Sequence, residues 1–150
     1  MRVLGCSCTG SAAFFALLRG EEYFDDPLTR IDFANVLDRG ERLIELRARV
    51  RVELERIKPD AVALVGSIAR NLSYNTAAER ATIETIVRLV AQELSIHCGR
   101  LSPPTVAARL GVSRTGKFEV NVRRFFAEEH PPYWAERCKA AAVAIAWQRA

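Results

Sequence analysis

Two hydrophobic periods alternate along this chain, and their order predicts a layered α/β protein. Arg2 to Cys8 and Ala12 to Arg19 are short, mostly apolar runs separated by Thr9-Gly10-Ser11, which predicts an N-terminal hairpin with a Gly-containing connection. A third short strand is predicted around Thr29 to Phe33, after an acidic stretch from Gly20 to Asp26 that Pro27 ends. From Glu41 to Lys58 the period becomes helical: Leu43, Leu46, Val50, Leu54 and Ile57 share one face, and the i,i+4 pairs Glu45–Arg49, Arg49–Glu53 and Arg51–Glu55 lie on the other. Pro59 closes that helix. Ala61 to Val65 is then apolar without interruption, and a strand with no polar face is expected to be covered on both sides. After a polar loop, Asn71 to Thr76, in which Asn75 or Thr76 could cap, a second helix runs from Ala77 to Leu94 on Ile83, Ile86, Val87, Val90 and Leu94.

The remainder reads as an edge strand at Ser95 to Cys98, a short helix from Ser102 to Leu110, a helix from Lys117 to Glu128, and a last helix from Tyr133 to Trp147. Trp134, Cys138, Ala141 and Ile145 form the inner stripe of the last helix, and its many alanines allow close approach to whatever it covers. Helix, buried strand and helix in this order define an α/β sheet flanked by helices on both faces. Ligands of such sheets bind beyond the carboxyl ends of the strands, here Val65 to Ser67. No acid, base or paired nucleophile stands there.

Length and composition fit one domain over residues 1–150. No apolar run approaches a membrane span, and no signal-peptide pattern opens the chain, so a cytoplasmic protein without membrane contact is expected. The net charge of +4 is unevenly spread: residues 1–75 are balanced and residues 76–150 carry the whole excess. Residues 100–124 hold Arg100, Arg109, Arg114, Lys117, Arg123 and Arg124 against Glu119 alone. Such a patch is a candidate nucleic-acid contact, and equally a solvated face.

Candidate chemistry elsewhere is sparse. Cys6 and Cys8 share one face of a strand, and Cys138 could approach them to make a zinc or redox site; the alternative is small core residues. His97 and His130 lack acidic or cysteine partners nearby in sequence and read as structural. Trp134 and Trp147 read as core and edge. Walker, dinucleotide-binding and Gly-x-Ser-x-Gly motifs are absent.

Four segments carry a resemblance over most of the chain. They are Leu4-Gly5-Cys6-Ser7-Cys8-Thr9-Gly10, then Lys58-Pro59-Asp60-Ala61-Val62-Ala63-Leu64-Val65, then Pro104 through Val120 with its Gly-rich turn and Lys117, then Ala140 to Ala146. In order and spacing they resemble the RNase H-like fold, and more narrowly the RuvC family of Holliday-junction resolvases. That resemblance implies a mixed sheet, a homodimer and four carboxylates holding two divalent cations for phosphodiester hydrolysis. Carried onto this chain, the four positions are Ser7, Val65, Cys138 and Ala141. Val65 and Ala141 cannot ligate a metal, Ser7 is a weak neutral ligand, and Cys138 prefers softer ions than magnesium. Glu136 is the nearest shifted acid, off that helix face.

The expectation is therefore a catalytically degenerate RuvC-like protein, without cofactor, that binds branched or duplex DNA or a protein partner. The DNA contact would run through Lys117, where the family's lysine faces phosphates, with Arg114, Arg123 and Arg124. An active structure-selective endonuclease with displaced carboxylates and Mg2+ or Mn2+, or a scaffold protein, are the alternatives.

Overall fold

The computed structural model describes residues 1–33, 40–66 and 73–149. Ser67, and Asn71 of the predicted polar loop, lie outside them. Among the described residues six strands form one mixed sheet: β1 (Arg2–Cys8), β2 (Ala12–Arg19), β3 (Glu22–Phe24), β4 (Arg30–Asp32), β5 (Ala61–Val65) and β6 (His97–Leu101). The order is β3-β2-β1-β5-β6, and β4 pairs with the start of β2. β1 and β2 are an antiparallel hairpin, whereas β1, β5 and β6 run parallel.

The predicted burial of the central strand holds, and residue alternation explains it. Val62 and Leu64 of β5, with Leu4, Cys6 and Cys8 of β1, face the layer built by α1 (Gly40–Ile57) and α2 (Tyr74–Glu93). Ala61, Ala63 and Val65, with Val3, face the opposite layer of α3 (Pro103–Leu110), α4 (Phe118–Phe125) and α5 (Trp134–Gln148). No helix among the described residues is long and apolar enough to cross a membrane.

α5 lies against the backbone of β1. A Cβ on Gly5 would stand 1.8 Å from the carbonyl oxygen of Ala140, so only glycine admits the helix at this point. Ala140 to Ala146 are all buried, and small side chains are what let this seam close. The helix is also tied sideways. Arg137, 1% exposed, donates from Nε to the Phe15 carbonyl at 2.8 Å and from Nη1 to the carbonyls of His130 (2.8 Å) and Pro132 (3.1 Å); Nη2 bonds the Tyr23 hydroxyl. The buried guanidinium is thus satisfied by carbonyls and a phenol rather than by a carboxylate.

Several boundaries depart from the sequence reading. β3 emerges from the acidic Gly20–Asp26 stretch, because Leu17 to Arg19 of β2 offer it a pairing edge that composition does not reveal. α2 starts one turn early: Ser73 is the cap, its Oγ accepting from the Thr76 amide at 3.2 Å, so neither Asn75 nor Thr76 caps. The edge strand begins at His97, since Ser95 takes a left-handed conformation in the preceding turn. α4 stops at Phe125 rather than Glu128, where Phe126 turns extended. On α1, Arg51–Glu55 forms at 2.9 Å, but Glu45 pairs with Arg42, Glu53 with Arg56, and Arg49 stands over the Phe33 ring.

Gly5→Ala is expected to lower stability by about 3 kcal/mol or more, because overpacking here meets a backbone carbonyl and not a side chain that could rotate away. A urea titration followed by circular dichroism measures it.

Candidate functional site

Because β1 and β5 are adjacent and parallel, with Cys6 beside Leu64, their carboxyl ends reach the same edge of the sheet. There Ser7 and Val65 form the floor of a cleft of about 320 Å³ on the α5 side. Its walls come from the start of α3, the loop before α4, α4 itself, and one residue each of α2 and α5. Ser7 is 1% exposed, and its Oγ has no hydrogen-bond partner among the described residues. An unsatisfied buried hydroxyl of this kind costs roughly 1–3 kcal/mol.

Among the described residues, three cations line the cleft: Arg80 from α2, Arg114 from the loop, and Lys139 from α5. Arg80 is steadied by Glu84 at 3.3 Å, and the buried Glu84 also meets Arg100 at 3.5 Å. Lys139 pairs with Glu136 at 2.7 Å. Arg114 makes no ion pair among the described residues. Its loop is fixed from behind: Asn121 Nδ2 donates to the carbonyls of Ser113 (3.1 Å) and Thr115 (2.7 Å), and Gly116 supplies a left-handed turn. Glu119 is the one carboxylate lining the cleft among the described residues, and Arg123 stands 3.7 Å from it.

The sequence-nominated residues separate into groups. Arg114 enters the cleft, and Lys117 lies exposed at the start of α4 between two residues that line it. Arg124 is exposed, with no ion pair among the described residues. Arg123 is engaged by Glu129 at 2.6 Å as well as by Glu119, so its charge is largely compensated inside the protein. Arg109 donates to the Ala146 carbonyl. The basic excess of residues 100–124 is therefore less available than its count implies. Arg80 and Lys139 were missed because they lie far from that segment in sequence. The one available signal for Lys139 was its place directly after Cys138.

The four positions that the resemblance assigns to metal ligands all occupy the α5 side of the sheet. Ser7 and Val65 floor the cleft; Cys138 and Ala141 are fully buried in the α5 seam. Hard divalent cations require several charged oxygen donors. Among the described residues the cleft offers one charged oxygen donor, the Arg123-paired Glu119, beside neutral side-chain oxygens of Ser7, Ser113 and Asn121. Residues 67–72 contain no acid in their sequence. No group of three or more His, Cys, Asp or Glu among the described residues is placed to hold a metal. A two-metal centre does not fit these side chains.

The three-cysteine site is ruled out as a cluster. Cys6 and Cys8, with Sγ atoms 3.7 Å apart, belong to the α1/α2 core, whereas Cys138 is buried on the opposite face. Burial pushes the Cys138 thiol up to about 12 and the Cys98 thiol up to about 11; the Cys8 hydrogen bond, then burial, raise Cys6 well above its ordinary value. These are core thiols, not nucleophiles. The histidines are packing residues: His130 stacks on Tyr23 and His97 meets the edge of Trp147.

The fold is that of the RNase H-like α/β proteins, built on a mixed sheet with helices on both faces. Its particular form is the RuvC one. Thermus thermophilus RuvC in complex with a Holliday junction substrate superposes with a TM-score of 0.75 at 18% identity, over 99% of this chain and 93% of that one. A second structure of Thermus thermophilus RuvC gives 0.74 at 20% identity, covering 99% and 94%. The yeast mitochondrial Holliday junction resolvase Ydc2 gives 0.63 at 11% identity, covering 99% and 78%. No protein-family model matches the chain, and no curated protein matches its sequence. At such identities the likeness establishes the fold.

Raised thiol values carry a linkage consequence. The unfolded chain ionises its cysteines near 9.0, below the folded values for Cys98 and Cys138. Their contribution to stability is fully present below pH 9 and is lost as pH rises toward 11–12. Urea midpoints measured between pH 8 and 11 are expected to fall, and Cys138→Ala is expected to flatten that fall.

Proposed function

We propose that this protein is a catalytically inactive RuvC-like protein that binds nucleic acid without cleaving it. One observation carries the reading: among the described residues, the cleft at the ends of β1 and β5 has Ser7 and Val65 at its floor, three cations in its walls and a single carboxylate, Glu119. Phosphodiester hydrolysis by two metals needs acids at that edge. Phosphate contact needs only accessible positive charge, and Arg114 in the cleft, Lys117 beside it and the exposed Arg124 supply it. Thermus thermophilus RuvC, whose fold this chain shares over nearly its whole length, is seen with a Holliday junction substrate, which favours branched or duplex DNA as the ligand class.

Anisotropy of labelled four-way-junction and duplex DNA at two salt concentrations, with and without Mn2+, tests the reading. Salt-sensitive binding is expected, with log K falling by roughly 0.9 per phosphate contact for each tenfold rise in salt. The DNA is expected to stay intact on denaturing gels. Cleavage of the junction in Mn2+ would restore the endonuclease alternative, and no binding at low salt would turn the reading to a scaffold role.

A homodimer belongs to the same proposal. Ile44, Ala48 and Val52 follow one exposed stripe of α1, with Ile44 72% and Val52 62% exposed. Exposed large apolar residues at helical spacing, flanked by arginines and glutamates, suit a self-complementary contact. Light scattering is expected to give twice the 16.7 kDa chain mass, and Ile44→Glu with Val52→Glu to halve it.

A further inference from the structure

The cleft that cannot hold metal ions still concentrates positive charge. Arg80, Arg114 and Lys139 reach it from three separate elements, so no one helix face accounts for them. At its floor Ser7 Oγ is buried with no hydrogen-bond partner among the described residues. Opposing charges are few and engaged. Glu119 faces Arg123, Glu84 is shared by Arg80 and Arg100, and Glu136 holds Lys139. We propose that this cleft binds a phosphate group of a nucleic acid directly, with no divalent ion. Arg114 and Lys139 supply the charge, Ser7 donates from the floor, and Arg80 closes the wall. The inference deepens the nucleic-acid reading above and rests on it for the source of the phosphate.

The geometry fits this chemistry. A bound metal ion carries charge into a cleft only if carboxylates hold it there. Lysine and arginine carry their own charge on tethered chains and need no such set. Asn121 pins the backbone around Arg114 through two carbonyls, which limits the ordering that binding would otherwise require.

Two measurements in excess EDTA test it. In the first, inorganic phosphate is titrated into labelled protein while the amide signals of Ser7, Gly66 and Asn121 are followed. Saturable shifts at these three are expected, and Ser7→Ala is expected to weaken the binding about fivefold, the effect of one neutral hydrogen bond. In the second, DNA binding is measured against salt for the wild type, Arg114→Gln, Lys139→Gln and Lys58→Gln. Lys58 lies at the opposite ends of the strands. Each cleft variant is expected to reduce the salt slope by about one, and Lys58→Gln to leave it unchanged.

Absence of phosphate-induced shifts overturns the pocket, whatever the DNA does. DNA binding whose slope ignores Arg114 and Lys139 also overturns it, and leaves the nucleic-acid reading standing. Phosphate shifts without any DNA binding overturn the nucleic-acid source and the reading it rests on. Oligonucleotides with and without a 5′-phosphate separate the two sources of the group. Equal affinity assigns it to the backbone, and a tenfold preference for the phosphorylated end assigns it to a chain terminus.

Discussion

The close seat of α5 on β1 is the constraint on which the rest depends. Gly5 lets the Ala140 carbonyl approach where any side chain would block it, and the run of buried alanines continues that seam along the helix. A larger residue anywhere in the seam would lift α5 away from the sheet. Lys139 stands one residue before Ala140, so the same seat sets how deep its ammonium reaches into the cleft. The helix position is further fixed by Arg137, which donates to carbonyls of β2 and of the turn before α5, and to Tyr23. The cleft is therefore framed by rigid packing rather than by mobile side chains.

Within that frame the cleft has the opposite electrostatic character from a metal centre. A two-metal site gathers acids whose mutual repulsion is relieved only by the bound ions. Here Arg80, Arg114 and Lys139 surround a neutral floor, and each nearby acid already has a cationic partner. Val65 and Ala141 also fill their surroundings as core residues, so an acid at either position would bury charge among apolar neighbours.

The elements were legible because their cause is local. Uninterrupted apolar residues from Ala61 to Val65 required cover on both faces, and both layers are present. Alanine after alanine in α5 announced a close contact, although the sequence did not identify Gly5 as its partner. β3 was hidden because its pairing comes from β2, not from its own acidic composition. The motif resemblance pointed to Ser7 and Val65, which the fold brings together at the floor of one cleft. It did not find Arg80 and Lys139, since helices bring them there from distant parts of the chain. Counting charges also overstated the patch: Arg109 and Arg123 are spent on internal partners that no spacing rule reveals.

The seam between β1 and α5 also dictates an order of events. The hairpin is synthesised before every helix described here, and one of its faces is covered by α5, the latest of them. Val3, Ala16 and Leu18 must wait for more than a hundred residues before their cover exists. Contacts of such sequence separation slow folding, and an uncovered apolar strand face is prone to the wrong neighbours meanwhile. The opposite face fares better, because α1 follows the hairpin closely and can shelter it early. Until α5 is made, the nascent sheet is thus one-sided.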